Sequence, residues 1–141
     1  MNVLKIEIHD DVQAQQRPKF SRYGNNVSVR DPKESKDYKS FVRLVAAEYA
    51  PESLITEEIR LSIDVYLKIP KKYHTKPKMA LIHAGKLRPT TKPDIDNLAK
   101  GIKDGLSKFV WYDDSQVTEL VARKWYSDNP RAEVTIEWAE K

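Results

Sequence analysis

The sequence predicts an α+β fold: a single domain spanning residues 1–141, with a mixed sheet of about four strands and helices packed on it. Three observations carry this. Residues 58–69 set Ile59, Leu61, Ile63, Val65, Leu67 and Ile69 in alternation with mostly polar neighbours, the two-residue period of a half-buried strand. Two other stretches, 32–49 and 94–109, repeat apolar residues at three- and four-residue steps, the period of an amphipathic helix. Element order then favours α+β over a regularly alternating α/β chain.

Residues 3–8 alternate as a first strand. A Gln-rich connection leads to a loop in which Arg17, Lys19 and Arg22 interleave with Phe20 and Tyr23 before a Gly-Asn-Asn turn. Cations beside aromatics suit phosphates and stacked bases, and they equally suit a surface loop anchored by Phe20. Residues 27–30 suit a short strand. Tyr38, Phe41, Val42, Val45 and Tyr49 form the apolar stripe of the first helix, which Pro51 stops. Pro70 closes the strand at 58–69. Residues 71–91 then read as a long connection with room for one short helix around Met79 to Ile82. His74 and His83 are nine residues apart with no carboxylate between them, which is not a metal-ligand spacing; they are expected to be exposed loop residues.

Pro93 marks the start of the second helix, and Ile95, Leu98, Ile102, Leu106 and Phe109 form its buried stripe. Asp96, Lys100, Asp104 and Ser107 fall on the opposite side. Residues 116–126 are rich in Thr, Val, Trp and Tyr and suit a strand. Asp128-Asn129-Pro130 has turn chemistry, and Ala132, Val134, Ile136 and Trp138 alternate with polar residues, so the last two strands are expected to pair as a hairpin.

The chain is 33% charged and 40% hydrophobic, as in ordinary globular proteins. It has no cysteine, which excludes disulfides and thiolate metal sites and suits a reducing compartment. It shows neither a transmembrane run nor a secretory leader pattern, so a cytoplasmic location and no membrane partner are expected. The charge is uneven. Residues 65–92 contain no acid but hold Lys68, Lys71, Lys72, Lys76, Lys78, Lys86, Arg88 and Lys92; against a net charge of +4, these eight leave the remainder at −4. Such a block either attracts a polyanion such as nucleic acid or forms a solvated, solubilising loop.

The basic block leads into Asp94 and Asp96 at the helix mouth, and Asp113 and Asp114 follow the helix. Should the later loop reach the helix mouth, Asp94, Asp96 and one of Asp113 or Asp114 would make an all-oxygen site suited to Mg²⁺ or Mn²⁺. Such a site serves phosphodiester hydrolysis, in which the cation acidifies a water and offsets charge at phosphorus. Lys100, one turn past Asp96, is placed to meet a phosphate, or else to pair with Asp96 on the helix surface for about 0.3–0.5 kcal/mol. The acids are also ordinary helix caps and turn residues. Three functions fit: a metal-dependent nuclease, a DNA-binding protein without catalysis, and a hydrolase of small phosphate compounds, for which the long basic segment is excessive.

The run Lys92-Pro93-Asp94-Ile95-Asp96-Asn97-Leu98, with Lys100 and the later Asp113-Asp114-Ser115-Gln116-Val117, resembles the signature of the RusA-type Holliday junction resolvases, a family often carried by prophages. The Arg-Pro-Lys-Phe-Ser-Arg stretch and the C-terminal strands share in the resemblance. It implies an endodeoxyribonuclease cutting four-way junction DNA by paired, symmetric nicks with Mg²⁺ as a homodimer. It further implies Asp94, Asp96 and Asp114 as metal-binding catalytic acids and Lys100 as the catalytic lysine. A twofold dimer offers two equivalent sites to the two equivalent strands of a junction. Arg17, Lys19, Arg22, Lys71, Lys72, Lys76, Lys78, Lys86 and Arg88 are the expected DNA contacts.

Overall fold

A computed structural model describes residues 1–9, 19–23, 26–30 and 33–139. Its main sheet contains β1 (Asn2–Ile8), β4 (Ile59–Lys68), β5 (Val117–Ser127) and β6 (Arg131–Trp138). A second, two-stranded sheet pairs β2 (Lys19–Tyr23) with β3 (Asn26–Arg30), and α1 (Lys33–Ala47), α2 (Lys76–His83) and α3 (Ile95–Leu106) complete the chain. The α+β expectation holds, with four strands in the main sheet.

Alternation decides which face of that sheet is buried. Leu4, Ile6 and Ile8 of β1 pair with Ile136, Val134 and Ala132 of β6, which in turn pair with Leu61, Ile63 and Val65 of β4. These side chains share one face, and nearly all of them are fully buried. Tyr38, Val42 and Ala46 of α1, with Leu98, Ala99, Ile102 and Leu106 of α3, close the same core. The opposite face carries Lys5, Ser62, Asp64, Arg123, Glu133 and Thr135; α1 and α3 cover the first face, while the end of α2 lies beside Tyr66 and Trp125 of the other.

The strand order is β1-β6-β4-β5, which corrects the expected hairpin: β5 and β6 are consecutive in sequence, but β4 lies between them. β4 carries Ile59, Leu61, Ile63 and Val65, all at most 1% exposed, and a strand this apolar buries most where both of its edges are paired. The α3 crossover returns the chain along the sheet, so β5 runs parallel to β4 while β6 is antiparallel to it. Arg131 fastens the short connection that crosses the end of β4. Its guanidinium lies 3.9 Å from the centre of the Tyr66 ring and donates to Ser127 Oγ at 3.2 Å and Asn129 O at 2.9 Å.

Three further expectations change. The stretch expected to be a cationic loop is a strand from Lys19, paired through Phe20 with Val29 and through Arg22 with Val27; the aromatic and β-branched content of both segments favours that ladder. Arg17 lies outside the described residues. α3 stops at Leu106 because Lys108 takes a left-handed φ of 69° and donates its N–H to Trp111 O at 2.7 Å. Phe109 therefore leaves the stripe and is 45% exposed, while Ser107, expected outside, is buried. Finally, the connection at 71–91 contains a 3₁₀ turn (Lys71–Tyr73) as well as α2, and His83 sits in the last turn of α2 rather than in a loop.

Candidate functional site

The mouth of α3 forms where Pro93 precludes earlier helix and Asp94 takes the N-cap, with an extended φ/ψ of −70°/145°. Aspartate is among the best capping residues, worth about 1 kcal/mol when its carboxylate accepts a first-turn N–H. Here the side chain makes no capping hydrogen bond. Asp96 lies in the first turn, where the helix dipole favours an anion by about 0.3–1 kcal/mol, and both carboxylates are exposed. The mouth thus presents two hard oxygen donors that no backbone donor occupies.

Lys100 stands one turn further on. Its ammonium pairs with Asp104 Oδ2 at 2.8 Å rather than with Asp96, and Lys39 approaches the same oxygen at 3.9 Å.

The second acidic pair divides its labour. Asp113 caps the 3₁₀ turn Asp114–Gln116: its carboxylate accepts from Ser115 N at 3.0 Å and from Ser115 Oγ, and those bonds hold its pKa below the ordinary carboxylate value. Gln116 closes the box by accepting from Asp113 N, and its amide donates to Ile55 O at 2.8 Å and Glu57 O at 3.0 Å. Asp113 is therefore a structural cap, whereas Asp114 is exposed and takes no part in that box.

A single chain does not unite the acids. Asp94 and Asp96 lie at the start of α3, near Lys124 late in β5, whereas Asp114 lies beyond the other end of α3, just before β5 begins. The 12 residues of α3 alone span about 18 Å. Among the described residues no group of three or more His, Cys, Asp or Glu could hold a metal ion. Helix length was the signal for this separation, since acids flanking an intervening helix lie at its opposite poles.

Of the expected DNA contacts, Lys71, Lys72, Lys76, Lys78, Lys86 and Arg88 are all exposed. Arg88 is also held in place: its guanidinium covers Trp125 at 3.8 Å from the ring centre, and its Nε donates to Lys124 O at 2.9 Å. Sequence reasoning missed this β5 anchor and Lys124 itself. The available signal was Lys124 in the apolar phase of its strand, after Leu120 and Ala122.

A family model described as Endodeoxyribonuclease RusA matches residues 11–137. The chain belongs to the RusA family. Two relatives are similar to the chain. One is "Uncharacterized protein YqaN" of Bacillus subtilis (strain 168), 42% identical over 137 residues and covering 96% of each chain. The other is "Crossover junction endodeoxyribonuclease rusA" of Lactococcus phage r1t, 42% identical over 48 residues, which are 33% of this chain and 37% of that protein. Endodeoxyribonuclease activity is thus the family-level function of this RusA-family chain. No helix among the described residues is long and apolar enough to cross a membrane.

Proposed function

We propose that this chain is a divalent-metal-dependent endodeoxyribonuclease that resolves four-way (Holliday) junctions by paired symmetric nicks in DNA recombination and repair, working as a homodimer in the cytoplasm. The observation that carries the reading is Asp94, an N-cap that does not cap, beside Asp96 at the mouth of α3 in a RusA-family chain. Mg²⁺ fits these donors, since it binds through one or two carboxylates and completes its shell with waters and phosphate oxygens; Mn²⁺ accepts the same set. Asp94, Asp96 and Asp114 would hold it, and once bound it would acidify a water and offset charge on the phosphate.

The protein's own groups do the rest. The exposed cations from Lys71 to Arg88 draw the junction towards the acids. Lys100, 58% exposed and one turn beyond Asp96, is placed to contact the phosphate. Because one chain holds Asp114 at the far pole of α3, the third acid comes from a second copy. The edge strand β5 suits such a contact: Leu120 is 48% and Val121 40% exposed. Twofold edge-to-edge packing there sets the start of one β5, with Asp114, towards the end of the other, where the mouth of α3 lies.

Cleavage of a synthetic four-way junction with and without Mg²⁺ tests the activity, and Asp96→Asn and Asp114→Asn should each abolish cutting while junction binding persists. Co-expressing these two variants tests the shared site. Random pairing makes half the dimers mixed, each with one intact site, so about a quarter of wild-type sites return. No recovery means that both acids act within one chain. Salt-sensitive junction binding with no metal-dependent cutting by the unmutated protein would instead support a DNA-binding protein without catalysis.

A further inference from the structure

We infer that Lys124 is a positioning residue that sets the Asp94 and Asp96 carboxylates for metal binding, an assignment that rests on the nuclease reading above. Lys124 pairs in register with Val65, so its side chain leaves β5 on the face where α1 and α3 cover the core. At the end of that face its ammonium donates to Thr91 O at 3.0 Å and to Pro93 O at 2.9 Å. These carbonyls bracket Lys92 in a stretch without helix or strand, where no backbone ladder fixes the chain. The Pro93 carbonyl belongs to the peptide whose nitrogen is that of Asp94, so the bond at Pro93 O limits rotation of the unit that aims the first acid.

The support reaches back into the sheet. Lys124 O accepts from Arg88 Nε, and Arg88 in turn lies on the Trp125 ring. Trp125 donates to Asp64 Oδ1 on β4 at 2.9 Å. Residue 124 is thus held through its own carbonyl while its side chain holds the helix mouth. Methionine, of similar length, would keep the packing of the side chain and lose both of these donated bonds. Residues that orient metal ligands without touching the metal are typically worth about 10–100-fold in metal affinity or activity.

The test compares Lys124→Met and Lys124→Arg in the full chain. In the metal-free protein, the Leu98 amide, which donates to Asp94 O at 3.1 Å, reports the first turn of α3 by hydrogen exchange. Lys124→Met should speed that exchange, keep metal-free junction affinity within about twofold, and weaken Mn²⁺ binding and the metal half-saturation of cleavage by about 10–100-fold. Lys124→Arg, which retains charge and donors, should recover most of the loss. Unchanged exchange and unchanged Mn²⁺ affinity in Lys124→Met would overturn the assignment. If the unmutated protein cuts no junction, the nuclease reading fails, and the Leu98 exchange rate alone decides whether Lys124 fixes the mouth. Should Lys124→Met not fold, Lys124→Gln is measured by the same criteria.

Discussion

At Gly105 α3 comes close to α1, and adding one methyl group there tests how firmly that contact fixes the helix bearing Asp94 and Asp96. A Cβ on Gly105 would lie 2.8 Å from both Cβ and Cγ1 of Val42 and 3.4 Å from Lys39 O. Carbon atoms rest about 3.5–4.0 Å apart, so the helices must separate by roughly 1 Å. Val42 cannot swing aside, because it is fully buried and β-branched on a helix. Overpacking of this kind costs about 1–3 kcal/mol, whereas replacing glycine by alanine inside a helix returns about 1 kcal/mol. Gly105→Ala should therefore destabilise the protein by up to about 2 kcal/mol, lowering Tm by up to roughly 8 °C for a chain of this size. Urea and thermal unfolding at one fixed protein concentration measure the loss, since a dimer's Tm depends on concentration. Combining it with Val42→Ala, which removes the colliding Cγ1 and leaves Cβ, should show a favourable coupling of about 1 kcal/mol. A Gly105→Ala variant more stable than the parent by the full glycine-to-alanine gain of about 1 kcal/mol would refute the close helix contact.

Two other outcomes follow from the surface. The bonds from Ser115 depress the Asp113 pKa, so the stabilisation of its capping turn is complete above the ordinary carboxylate value of 3.8 and is lost as pH falls through the lower folded value; the Ser115 amide shift should titrate with a midpoint below 3.8, and a midpoint at or above it would contradict the cap. Replacing Lys71, Lys72, Lys76 and Lys78 together by alanine should weaken junction binding and reduce the salt slope by up to about one unit for each phosphate no longer neutralised, as read from affinities at several salt concentrations; an unchanged slope would leave these residues a solubilising role.

The sequence made the elements legible where burial imposes a strong period. The alternation along β4 and the stripe of α3 predicted both, because the core selects for those periods directly. Strand neighbours were harder. A short polar turn between β5 and β6 reads as a hairpin, but pairing depends on which strand buries most with both edges filled, a property of the whole sheet. The end of α3 was equally hidden, since a lysine rather than a glycine adopts the left-handed conformation at residue 108. At the candidate site, residue types and spacing singled out the acids as candidates, whereas their distribution over opposite ends of α3 is a matter of helix length. Lys124 escaped because its partners are carbonyls, which leave no mark in side-chain chemistry.

The place of β6 has a bearing on how the molecule comes into being. Of the four strands in the main sheet it is last in the chain, yet it occupies the slot between β1 and β4 and joins Trp138 to Asn2. A nascent chain that has released everything up to β5 can join β5 to β4 but leaves β1 with no neighbour in the sheet. The pairing of β1 with β6 closes most of the chain's length in one step, the kind of distant contact that makes folding slow. Completion of the fold therefore waits on an element that carries none of the acids, and a ribosome-bound chain that already displays Asp94, Asp96 and Asp114 still lacks the finished sheet that holds α3 in place.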